Sequence, residues 1–310
     1  MCIRDRYDYE RNRREFAYAI RSAYWNVFQA IESEKVINEN VDQVEAHLKD
    51  AKNLRSQGMA TRNDILRVQV QLSQAQLLQV QARNAEQVAR VALNNLIGLP
   101  LDTEVDLASR PSPPEAESQS LDALVEKAIK TRPDVKAAEA RVKAAEAAVT
   151  LARAGWYPQL ALTANYTYAM PNPRIIPPQD KFYDTWDAGV ALSFDIWTWG
   201  RTSYQTAQAR AQLNQALDGL SQLRDAVALE LTQDHLDLMN AREKISVAET
   251  GVRQAKESHR VAQEGYHAGV GSNTDLLDSE VALLRARLSY TQALVDCELS
   301  LARLRKAIGE

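Results

Sequence analysis

The chain has 310 residues, 45% hydrophobic and 25% charged, with 11 Gly and 10 Pro, a composition that fits one large folded domain or two ordinary ones. A net charge of −4 gives no basic excess for nucleic acid, and a mean hydropathy of −0.40 with no apolar run of about 20 residues excludes a transmembrane helix. That test is blind to a β-barrel, whose strands alternate and signal weakly.

The opening Met-Cys-Ile-Arg-Asp-Arg reads as the translation of ATG-TGT-ATA-AGA-GAC-AG, a transposon-type sequencing adapter. It predicts a chain cut inside a longer gene, so the lack of a signal peptide carries no information about compartment.

Residues 7–98 read as a helix, a tight turn at Gly58 and a second helix. Thr61-x-x-Asp64 is a capping-box pattern: the hydroxyl accepts from a free N–H of the first turn while the carboxylate accepts from the cap's own N–H. Residues 99–131 form a linker and short helix: Leu99–Ser120 is rich in Pro and acids, and Leu121–Lys130 is amphipathic. Thr131-Arg132-Pro133-Asp134 then reads as a capping box opening an Ala-rich helix over 132–154.

Over 155–199 the apolar period changes from 3.6 to 2. Leu160, Leu162, Ala164, Tyr166, Tyr168 and Met170 share one face of a first strand. Trp186, Ala188, Val190, Leu192, Phe194 and Ile196 share one face of a second, after a Pro-bearing loop. Each strand alternates over about 10 residues, enough to cross a bilayer when tilted. Trp156, Trp186, Trp197 and Trp199 lie at or near the strand ends, where an aromatic girdle would sit. A soluble hairpin would need a core to pack on, and nothing else in the chain supplies one. An isolated hairpin is marginal in water. Two strands cannot close a barrel, so the strands must come from several subunits.

Residues 200–310 repeat residues 7–98. Gly269 matches Gly58, Asp275 matches Asp64, Leu283 matches Leu72, and Ile308-Gly309 matches Ile97-Gly98, all at the offset 275 − 64 = 211. The register holds without a gap, from Ala30 on Ala241 to the end. Projected back by the same offset, the β-hairpin has its counterpart upstream of Met1, giving four strands per complete subunit. The rising helix from Arg201 to about Glu264 would be a rod of roughly 100 Å, too long to stand without coiled-coil partners. The descending helix carries a seam at Tyr290, Leu294, Cys297, Leu301, Leu304 and Ile308, spaced four and three. Cys297 is thus a small apolar seam residue, and with Cys2 it forms no disulfide framework.

The chemistry-bearing motifs are absent. His47, His235, His259 and His267 form no HxxxH or HExxH pair, and there is no Walker, GxGxxG or GxSxG motif, so no catalytic residue, metal site or cofactor is expected.

Residues 132–168 (RPDVKAAEARVKAAEAAVTLARAGWYPQLALTANYTY) and 265–290 (GYHAGVGSNTDLLDSEVALLRARLSY) resemble the TolC-like outer-membrane efflux protein family (outer membrane factors). The resemblance covers essentially everything after residue 6. It implies a mainly α fold with a β-hairpin. Long antiparallel coiled-coil helices form an α-barrel tunnel, and transmembrane β-strands are contributed to a trimeric barrel. Residues 7–98 and 200–310 would be the two tunnel hairpins. The implied function is a passive, gated conduit of a tripartite efflux or type I secretion system, lying in the outer membrane with a long periplasmic extension. The implied partners are a homotrimer, outer-membrane lipid, and a periplasmic adaptor (membrane fusion) protein that links to an inner-membrane pump.

The family motif YxxGxxxxxDxxD falls on Tyr266, Gly269, Asp275 and Asp278, with Asp64 as the acid of the first copy; these are the expected gate residues. Where the family's known channels place an Arg two positions after that Gly, this sequence has Gly271, and Arg62 or Arg67 is the candidate replacement. Gly58, Gly269, Gly271 and Ser272 would form the tips that dock on the adaptor. Leu160, Leu162, Tyr166, Tyr168, Val190, Leu192 and Phe194 would face lipid. The alternative is a non-transport, oligomeric coiled-coil structural protein of the envelope, which predicts no lipid-facing hairpin.

Overall fold

The structure, a computed structural model, describes residues 3–111 and 120–309. Cys2, and residues 112–119 of the expected linker, lie outside the described residues. Among the described residues, six helices and two strands run in the order α1 (Ile3–Ser56), α2 (Arg62–Ile97), α3 (Leu121–Thr131), α4 (Pro133–Ala154), β1 (Gln159–Ala169), β2 (Tyr183–Ser193), α5 (Arg201–His267) and α6 (Asn273–Ile308). None of the described helices is long and apolar enough to cross a membrane. The chain divides into two units. One comprises residues 1–135 and 224–310, the other residues 136–223.

In the larger unit the repeat is kept to the residue. α1 and α5 end at Ser56 and His267, α2 and α6 begin at Arg62 and Asn273, and their capping glycines are Gly98 and Gly309, each pair 211 apart (267 − 56, 273 − 62, 309 − 98). Buried residues recur every seven positions: Ile37, Val44 and Ala51 on α1, Val68, Ala75 and Ala82 on α2. Val44, Ala51 and Val68 form one core layer with Leu48, Ile65, Leu72 and Leu277 around them. A second layer joins Ile37, Ala82 and Leu284 with Val36 and Leu288. These layers draw on α1, α2 and α6 together, so α6 is buried along more than one stripe. Cys297, Leu304 and Ile308 of the expected seam are buried, but so are Leu284, Val295 and Ala302 off it. Each fully buried Val or Leu contributes roughly 1.5–3 kcal/mol of transfer free energy.

The capping box expected at Thr131 does not form. Pro133 is already the first helical residue of α4, and Arg132 occupies the cap position of α3. The Thr131 hydroxyl turns back instead and shares its one proton between the carbonyls of Lys127 (2.9 Å) and Ile308 (2.6 Å). Arg132 donates to Asp134 (2.7 Å), Glu230 (2.6 Å) and the Ala307 carbonyl (3.1 Å). The Thr-Arg-Pro-Asp run therefore satisfies the last carbonyls of α6, which a helix end leaves without partners.

In the smaller unit β1 and β2 form an antiparallel hairpin. Its register pairs Leu160 with Leu192, Leu162 with Val190, Ala164 with Ala188 and Tyr166 with Trp186. All eight side chains share one face, as pleating requires of residues two apart. Thr163 with Gly189 and Asn165 with Asp187 occupy the other. β2 starts at Tyr183 and stops at Ser193, so Phe194 and Ile196, read as strand residues from their alternation, lie beyond the paired ladder. Alternation marks a face but not where pairing ends. The connecting loop is tied by Asn172, a buried side chain that donates to the Tyr183 carbonyl (2.9 Å) and the Thr185 hydroxyl (3.2 Å).

Candidate functional site: the paired helix tips

The four long helices meet in two turns at repeat-equivalent positions. Gly58 (φ +79°) and Gly269 (φ +73°) adopt the left-handed conformation that ends a helix and that Gly accepts without Cβ strain. The residues after them donate back to Leu54 (2.9 Å) and Gly265 (3.0 Å). The two turns differ in tightness. Gly271 donates to the Gly265 carbonyl at 2.8 Å, and a Cβ on Gly271 would lie 2.8 Å from the Gly265 carbonyl carbon and 2.9 Å from the Tyr266 nitrogen. Only Gly fits there, whereas the equivalent of the first turn is Ala60.

Both capping boxes close. The Asp64 nitrogen donates to the Thr61 hydroxyl (3.2 Å) while the Thr61 nitrogen and hydroxyl donate to the Asp64 carboxylate (2.9 and 2.6 Å). These bonds hold the Asp64 carboxyl below its usual range. Asp275 and Ser272 repeat the arrangement with bonds of 3.0 and 3.4 Å. Asp278 lies a turn beyond, exposed, outside any cap. Asp275 and Asp278 line a groove of about 740 Å³ with Glu257, Val261, Val270 and Gly271. Gly58, Gly269 and Ser272 are exposed at the tips. Arg67 reaches from α2 to α6 and donates to the Thr274 hydroxyl at 3.0 Å.

Tyr266 is buried, and its hydroxyl has no hydrogen-bond partner. Burial, with Asp64 and Asp50 nearby, pushes its phenol upward. Its ring packs edge-to-face on that of His47, centroids 5.2 Å apart. His47 was not among the expected site residues. Its Nδ1 lies 3.1 Å from Glu280 Oε1 and its Nε2 2.9 Å from Asn273 Oδ1, and both His47 and Glu280 side chains are 2% exposed. Beside them His259 Nδ1 meets the Ser279 hydroxyl at 3.3 Å. One signal could have exposed this cluster in the sequence. His47 lies between Val44 and Ala51, and Glu280 between Leu276 and Leu283, so each falls on an apolar stripe where a charge needs a partner.

The profile of the outer membrane efflux protein family matches residues 124–310. Outer membrane protein TolC of Vibrio cholerae is 25% identical over 297 residues, covering 94% of this chain and 66% of that protein. Alkaline protease secretion protein AprF of Pseudomonas aeruginosa is 27% identical over 259 residues, covering 81% of this chain and 52% of AprF. The chain thus spans between half and two thirds of the length of these relatives. Among solved structures, the outer membrane protein VceC of Vibrio cholerae superposes with a TM-score of 0.80 at 19% identity, over 99% of this chain and 72% of VceC. The open state of the MtrE outer membrane channel of Neisseria gonorrhoeae gives 0.77 at 20% identity, over 99% of this chain and 68% of MtrE. At such identities these structures establish a shared fold.

Proposed function

This chain belongs to the outer membrane efflux protein family, and on that premise we propose that it is the larger part of one subunit of a trimeric, gated outer-membrane conduit serving a tripartite efflux or type I secretion system. The observation that carries this reading is the hairpin's apolar face. Leu160, Leu162, Tyr166, Val190 and Leu192 are 68–79% exposed, on two strands that cannot close on themselves. Lipid is the solvent such a face suits, and pooling strands from several subunits is the way such a sheet loses its edges. Tyr168 and Phe194 extend the same apolar surface. The opposite face carries Asn165 and Asp187, hydrogen-bonded at 3.1 Å, and Arg174 paired with Asp187, as suits a water-filled lumen. A purely structural coiled-coil rod would share the long helices but has no use for this face.

Transport energy would come from an inner-membrane pump, with the adaptor docking on the exposed tips at Gly58, Gly269, Gly271 and Ser272. The gate is assigned to Tyr266, Asp64, Asp275 and Asp278 around the tips. The conduit performs no catalysis and needs no cofactor. The full gene product in detergent should be a trimer by native mass spectrometry and should conduct ions in a planar bilayer. A monodisperse monomer without conductance would overturn the reading.

A further inference from the structure

An imidazole ring whose two nitrogens each meet an oxygen has two acceptors to satisfy. The neutral ring carries one N–H and the protonated ring two. The Asn273 amide, whose Nδ2 has no other hydrogen-bond partner, can turn over to donate to a neutral ring. Glu280 accepts as a carboxylate and can donate only by taking up a proton. Its Oε1 meets His47, and its Oε2 is buried without a hydrogen-bond partner. A buried carboxyl needs either a cation beside its carboxylate or a proton of its own.

Among the surrounding groups His47 is the one that meets Glu280 directly. Arg287 of α6 is held by Glu39 of α1 at 2.6 Å. His259 of α5 faces Glu280, Arg287 and His47, and burial holds its pKa down. The Ser279 hydroxyl beside it already donates to the Leu276 carbonyl (2.7 Å), so it accepts from His259 Nδ1–H, as a neutral ring allows. Tyr266 of α5 presents its ring to His47, and Asp50 of α1 and Asp64 of α2 act electrostatically on Tyr266. His267 of α5 pairs with Asp50 at 3.8 Å.

We propose that His47 is a proton-sensitive positioning residue for the gate: protonated, it clasps α1 of the first hairpin to α6 of the second through Glu280 and Asn273, and loss of its proton loosens the clasp. The inference rests on the channel reading above. The sign follows from the chemistry: acidification adds the second N–H and the charge that Glu280 lacks, so it closes the gate, and raising the pH opens it.

The test is the full gene product in planar bilayers, with assembly checked first by native mass spectrometry. Open probability should fall as the pH is lowered from about 8 to about 5.5. His47→Gln, which keeps hydrogen bonding but cannot be protonated, should lose that fall. Glu280→Gln should lose it too, while His259→Gln should keep it. A His47→Gln channel with the wild-type pH profile overturns the clasp. Should His47→Gln fail to assemble, the Glu280→Gln profile decides in the same way. Absence of any wild-type conductance would instead count against the channel reading.

Discussion

Asp234 shows how one polar residue on an apolar stripe sets a pH dependence. On α5 the residues Val227, Leu231, Asp234, Leu238, Ala241 and Ile245 are all buried and are spaced alternately four and three, so Asp234 occupies a core position. Its Oδ2 has no hydrogen-bond partner. Burial first, then Glu230, pushes its carboxyl up to about 6, with Arg303 opposing. The folded state therefore holds this proton at pH values where the unfolded chain has lost it, and stability falls as pH rises from about 4 to about 6. Asp234→Asn, which keeps the shape without the charge, should remove that slope and raise stability above pH 6 by roughly 2 kcal/mol. Thermal melts of the detergent-solubilised protein at pH 4 and pH 7.5 check this. An unchanged slope in the variant would sink it.

Among the elements, the hairpin makes the clearest claim about environment. Leu192 and Ser193 are neighbours on opposite faces of β2. With Leu192 near mid-bilayer, Leu192→Arg should impair insertion by about 2–4 kcal/mol, whereas Ser193→Arg should insert and alter conductance. Equal losses in outer-membrane yield for both variants would refute the face assignment. Both the strand face and the helix ends were legible in the sequence for a physical reason: period-2 alternation and capping chemistry are local, so neighbouring residues display them. What was not legible depends on distant partners. The His47–Glu280 contact joins residues 233 apart, and nothing near either one announces the other. Thr131 misled for the same reason: its pattern fits a local cap, but the Ile308 carbonyl, 177 residues away, takes its hydroxyl. Pairing limits are also non-local, which is why β2 ends before Phe194.

Across the whole molecule, the repeat makes the chain present two alike tips that differ at Gly271 against Ala60 and at Asp278 against Arg67. In a trimer Asp275 and Asp278 would each become a ring of three carboxylates around a narrow opening, where charges interact more strongly than in bulk water. A multivalent cation should block the current there. The double change of Asp275 and Asp278 to Ala should relieve the block, at a cost of about 1 kcal/mol for the lost cap at Asp275. Block as tight as wild type would leave these acids a purely structural role.

The seven-residue recurrence of buried positions, Val68, Ala75 and Ala82 facing Ile37, Val44 and Ala51, also fixes how such a chain can change length. Inserting one residue into α2 turns everything beyond it by about 100° and carries the apolar stripe off its partner. Inserting seven restores the stripe and adds about 10 Å. The added turns still fail unless α1 gains the same seven, because each buried position is matched across the hairpin. Length in this architecture is therefore quantised and comes in pairs, so a lineage adapting to a wider periplasm would have to lengthen its helices by whole, matched heptads.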